Sequence, residues 1–290
     1  MGLSFKTACF LLGEARRGIN FSETLVLGRQ SIYMRGEEYR QACSYLDIPF
    51  SPDDSFADGF FVGLGAKILR YLDNSPYEGA DLIHDLNLPI PASLEQKWSC
   101  VIDAGTLEHV FNFPEAIKNL MRLVKEGGHL LFITPWNGFA GHGFYQFSPE
   151  VFFRVLSEEN GFAVEKMLLS HQGQWFSVED PDRLQARVEA TSCGPLELYL
   201  SARRIRVSPV FSRFPQQSDY KRAWLAGGRT ANPSPGMLGH WKSRLIARSP
   251  FLAWLQDVWR RNKIARANKI NRAPWAKRLP QKNGIPLSPS

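Results

Sequence analysis

The 290-residue sequence is poor in cysteine, and its four copies, Cys9, Cys43, Cys100 and Cys193, are scattered without a C-x-x-C pair. That spacing excludes a disulfide framework and a short-spaced structural zinc site, and a reducing compartment is the expectation. Histidines and acids nowhere stand at metal-ligand spacing along the chain, so no metal is expected. Long apolar runs are lacking as well. No stretch reaches the ~20 apolar residues of a membrane span. The apolar residues Ala8 to Leu12 run straight into Glu14, Arg16 and Arg17 without a small-residue cleavage site. Neither a signal peptide nor a transmembrane segment is expected, which points to the cytoplasm, with peripheral membrane attachment as its extension. Acid is scarce in one region only. Between Trp241 and Lys282, twelve Lys and Arg stand against one acid, Asp257, a local charge of +11; the whole chain carries +7, so the remainder carries −4. Whatever partner the basic balance implies belongs to that tail.

What is present is an alternation of short apolar runs and amphipathic stretches. Glu23 to Leu27 ends at Gly28 and reads as a first strand, followed by a helix from about Gly36 to Tyr45. Asp47 to Asp58 is loop; Ala66 to Leu72 and Asp81 to Asp85 are further strands ending at acids, and Cys100 to Ala104 is another. After Pro114 a helix is expected with Ala116, Ile117, Leu120, Met121, Leu123 and Val124 buried and Lys118, Asn119, Arg122 and Lys125 facing water. Gly127 and Gly128 would close it as a left-handed cap. His129 to Thr134 is the next strand, Ser148 and Pro149 open a helix from Val151 to Glu159, and strands follow at Gly161 to Leu169 and Leu196 to Arg203. The pattern predicts a doubly wound, mostly parallel α/β sheet, with ligands beyond the carboxyl ends of its strands. Asp73, Asp85 and Asp103 each sit at or just inside such an end. The division expected is a domain over 1–206, a Pro/Gly/Ser-rich linker over 207–240 and a basic, partly helical extension over 241–290.

Over roughly residues 21 to 205 these motifs resemble the class I methyltransferases that use S-adenosylmethionine, which implies a Rossmann-like fold and that cofactor. Leu72-Asp73-Asn74-Ser75 is similar to the family motif whose acid takes the ribose hydroxyls, and His84-Asp85-Leu86 to the one that recognises adenine. Asp103 to Val110 resembles the fourth-strand signature beside the methionine moiety and the acceptor, and Gly127 to Pro135 the following turn and fifth strand. The resemblance thus makes Gly28, Asp73, Asp85 and Asp103 the cofactor-side residues. The first motif departs from the family's acid and glycine-rich loop: in Thr24-Leu-Val26-Leu-Gly28-Arg29-Gln30-Ser31, valine stands for the acid and one glycine remains. Gly63-Leu64-Gly65, ahead of Asp85, is the other placement for that loop.

Methyl transfer chiefly requires an aligned acceptor and, for a hydroxyl, removal of its proton. His109, beyond the fourth strand, and His142, between Gly141 and Gly143, are the candidate bases. Trp136 and Tyr145, within an aromatic loop, are the candidate acceptor wall, for a small molecule or a glycan. A binding protein that keeps the fold without catalysis is the second reading. In the tail, Phe251, Trp254, Leu255, Val258 and Trp259 follow helical spacing among cations. That pattern suits self-packing, an anionic membrane surface or lipid-linked substrate through residues 241–282, and, third, nucleic acid.

Overall fold

The computed structural model describes residues 2–190, 192, 194–225, 251, 254–255, 258–259, 262, 269–270 and 273–287. Nine strands make the main sheet: β1 (Glu23–Leu27), β2 (Ile68–Asp73), β3 (Leu82–Ile83), β4 (Trp98–Ala104), β5 (Val124–Asn137), β6 (Phe162–His171), β7 (Gln174–Val178), β8 (Leu196–Arg204) and β9 (Ala276–Arg278). Their order is β9-β7-β6-β8-β5-β4-β1-β2-β3. Strands β3, β2, β1, β4 and β5 are mutually parallel, whereas β8 runs antiparallel between β5 and β6, and β7 and β9 continue antiparallel to the edge. The parallel half therefore fits the expectation, and the other half adds a reversed sheet to it.

The helices are α1 (Phe5–Arg16), α2 (Gly36–Ser44), α3 (Asp58–Gly63), α4 (Phe113–Leu123), α5 (Pro149–Val155), α6 (Pro181–Leu184) and α7 (Ser218–Leu225). Covering both faces calls for strands that are buried on both sides, as β4 is throughout and β1 is from Thr24 to Leu27. Leu25, Leu27 and Val101 point into a core shared with α4 and α5, while Val26, Cys100 and Ile102 point into a core shared with α1 and α3. The expected stripe of α4 is fully buried.

Asn119, expected to face water, is fully buried instead. Its Oδ1 accepts from the Ile90 amide at 3.0 Å, and its Nδ2 donates to the carbonyls of Leu86 and Leu88. It ties α4 to the chain that enters β4, which gives a polar side chain on the inner face its reason. The glycine pair also differs from the expected cap. Helix α4 ends at Leu123, and Gly127 (φ 77°) and Gly128 lie within β5. A Cβ on Gly128 would meet the Ser99 carbonyl oxygen at 2.9 Å, so close approach of β4 is what requires glycine there. Ser148 precedes α5 but makes no side-chain cap; Pro149 alone opens the helix, which ends at Val155.

The far end of the chain closes the molecule. Strand β9 pairs with β7, Trp275 and Ile285 are buried, and Trp175 donates its indole N–H to the Gly284 carbonyl at 2.7 Å. Helix α1 is covered from that side, with Ile285 and Pro286 beside Gly13. Within the stretch read as linker, α7 docks through the Ser218 amide and hydroxyl on the Glu150 carboxylate. Most of the basic stretch from 241 to 272 lies outside the described residues. Among the described residues no helix is long and apolar enough to cross a membrane.

Candidate functional site

The order β3-β2-β1-β4-β5 reverses direction between β1 and β4, and the carboxyl ends of strands at such a switch point are where doubly wound sheets take their ligands. Three loops meet there. Gly28, at φ 65°, turns the chain after β1, and its amide donates to the Leu72 carbonyl at 2.9 Å. Thr106, after β4, reaches across to the Leu27 carbonyl through its hydroxyl at 3.2 Å. Asp73, at the end of β2, is half-buried, and its Oδ1 accepts from the Asn74 amide at 2.6 Å. No hydrogen bond engages its other carboxylate oxygen among the described residues. The loop after β1 is closed by its own side chains. Buried Gln30 donates to the carbonyls of Leu27 and Gly28, and Arg29 pairs with Asp58 while lying over the Phe56 ring.

The other two acids are committed to their own turns. Asp85 accepts from both the amide and the side chain of Asn87, and these bonds hold its carboxyl below the usual range. Asp103 is fully buried: its Oδ1 takes the Thr106 amide at 2.8 Å, and its Oδ2 has no hydrogen-bond partner. Asp103 therefore organises the turn after β4 from inside the protein instead of facing the crevice. Burial pushes its pKa up to about 6 against the pull of the turn amides.

That turn presents Glu108, His109 and, across it, His142. The loop of residues 138–147 folds back because the amides of Phe144 and Tyr145 both donate to the Glu108 carbonyl, at 2.8 and 3.2 Å. The fit needs glycine at 143, where a Cβ would lie 2.8 Å from that carbonyl oxygen. The result brings the rings of His109 and His142 to 5.2 Å between centroids, with His142 Nε2 at 3.8 Å from Glu108 Oε1. Glu108 is only 1% exposed, and its Oε2 has no hydrogen-bond partner. Burial, with the charge of Asp103 second, pushes its pKa up to about 8. Burial and the facing His142 hold His109 below the ordinary imidazole value.

No protein-family profile matches the chain, and no curated protein matches it. Solved structures resemble it in overall shape. A methyltransferase structure from Bacillus halodurans is 13% identical over 67% of this chain and 99% of that one, with a TM-score of 0.38. The 1,6-didemethyltoxoflavin-N1-methyltransferase of Burkholderia thailandensis is 12% identical, covering 70% and 78%, at 0.38. The branched-chain polyamine synthase of Thermus thermophilus is 13% identical, covering 72% and 59%, at 0.38. At such identities and scores the likenesses fix no activity, and nothing about this chain's chemistry rests on them.

The aromatic wall differs from the one expected. Trp136 meets Trp275 edge-on at 5.4 Å, sealing β5 to the closing segment. Tyr145 stacks on Phe147 and donates its hydroxyl to the Phe111 carbonyl at 2.6 Å. Phe111 and Phe144 are the exposed rings at this edge, at 71% and 68%, set edge to face at 5.8 Å. Glu108 and Phe111 were missed from the sequence as site residues. The available signal was Glu108 itself, an acid beside the candidate base His109 and next to the apolar Leu107.

Proposed function

We propose that the protein is an S-adenosylmethionine-dependent methyltransferase acting on a hydroxyl of a small molecule or glycan. The observation that carries this reading is the arrangement of the crevice: an acid with a free oxygen at the end of β2 on one flank, and the His109–His142 pair beyond β4 on the other. The residues present fit the nucleoside end of that cofactor. A carboxylate at Asp73 can accept from two neighbouring ribose hydroxyls, and the left-handed turn at Gly28 brings backbone to the same edge. The cofactor supplies an electrophilic methyl group when bound. This chain's part is to align the acceptor oxygen and take up its proton, for which the two imidazoles are the groups at hand. Phe111 and Phe144 offer rings on which a sugar or planar acceptor can stack.

Calorimetry with S-adenosylhomocysteine tests the reading. The expectation is one site per chain, weakened at least tenfold in Asp73→Ala. Absence of binding at millimolar ligand refutes it and leaves a fold that binds by other means.

A further inference from the structure

Glu108, His109 and His142 place one carboxylate oxygen and two ring nitrogens within 4.8 Å of one another. We infer that these three residues form a binding site for a divalent transition-metal ion of the zinc class. Two imidazoles and one carboxylate are the donor set with which such ions are held while coordination positions stay open. The buried carboxylate supplies the second observation. Glu108 is almost wholly enclosed, and its Oε2 lacks any hydrogen-bond partner, a costly state for a polar atom that a cation beside it relieves. Ligand nitrogens and oxygens about 2.0–2.2 Å from an ion lie some 3–4 Å apart, so the triad needs a contraction of about 1 Å. His142 can supply it. Its ring is half exposed and its backbone lies between Gly141 and Gly143, while His109 and Glu108 are fixed by the turn after β4.

Phe111 and Phe144, exposed and set edge to face, belong to the same two loops as the triad, the Phe144 amide donating to the Glu108 carbonyl. Where the transferase reading holds, on which this further role rests, an acceptor hydroxyl bound to such an ion would lose its proton more readily, to solvent water, since the imidazole nitrogens turned to the ion would serve as ligands instead of as bases. Ion binding itself does not depend on that reading.

Titration of the chelator-treated full-length protein with Zn²⁺ alone tests the site, followed by calorimetry and, for Co²⁺, by visible absorption. One equivalent should bind. His142→Ala and Glu108→Gln should each weaken binding at least tenfold, and His171→Ala should leave it unchanged. Binding should also weaken on acidification, since protons compete with the ion for the ligand atoms. No binding of Zn²⁺ or Co²⁺ at 0.1 mM (about the weak limit for a protein site), or binding indifferent to His142→Ala, overturns the proposal. His142 lies on an exposed loop, so its variant decides the matter even if Glu108→Gln fails to fold. Loss of ion binding with S-adenosylhomocysteine binding intact separates this failure from failure of the transferase reading.

Discussion

Arg29 and Asp58 close the loop after β1 by pairing with each other. Asp58 is bonded by the Arg29 guanidinium and the Tyr71 hydroxyl. Burial pushes its carboxyl up, but those two hydrogen bonds outweigh burial and hold it below the usual carboxylate range. A depressed carboxylate stabilises the fold above its unfolded pKa, and that contribution disappears as pH falls through the folded value. Asp58→Asn should therefore cost stability at neutral pH, about 1 kcal/mol after solvent screening, the difference shrinking once pH falls below the unfolded value of about 3.9 and vanishing only below the folded one. Urea melts at pH 7 and pH 3 check this; an equal cost at both would place the effect in shape instead of charge. The candidate histidines were legible at this scale because type and neighbours suffice to nominate them. Their meeting with Glu108 was not, since His142 arrives through backbone bonds to a carbonyl 34 residues earlier in the chain.

Helix α4 shows what periodicity can and cannot tell at the scale of an element. Its apolar stripe was readable because every third or fourth residue is Ala, Ile, Leu or Met, yet the same rule misplaced Asn119. A polar residue at the border of the stripe turns inward when backbone groups of another segment await partners, and Ile90, Leu86 and Leu88 supply them. Replacing Asn119 by Leu would leave those groups unsatisfied, with an expected cost of about 2–3 kcal/mol. The strands of the parallel half were legible as short, mostly apolar runs bounded by glycine or acid. Strand β7 and helix α1 were not singled out, because their apolar residues are matched by partners distant in sequence. Denaturant unfolding of Asn119→Leu, with an unchanged m-value, is the check; a loss under 0.5 kcal/mol would mean the site collapses without cost.

For the whole molecule, the segment from residue 273 to 287 matters more than its basic composition suggests. Trp275 is 3% exposed against Trp136, and truncation to Ala should cost about 3–5 kcal/mol. Thermal unfolding would reveal this as a Tm lowered by several degrees, and an unchanged Tm would contradict the closing role of the segment. Deleting residues 241–290 would thus disturb the sheet together with the charges. The proposed attraction of residues 241–282 to an anionic membrane surface is better tested by replacing Lys and Arg with Gln and measuring co-sedimentation with phosphatidylserine vesicles. Exposed Phe251 and Trp254, stacked at 6.1 Å, are the rings such a surface would receive, and binding indifferent to the lost charge would refute the proposal.

Because Gly13 lies against Pro286, the first helix and the last strands share one wall of the molecule. Detaching residues 285 and 286 would bare that side of α1 to water, so the helix and the closing segment should gain or lose their protection together. Joining residues so far apart in sequence costs loop entropy, which the apolar wall between them has to outweigh.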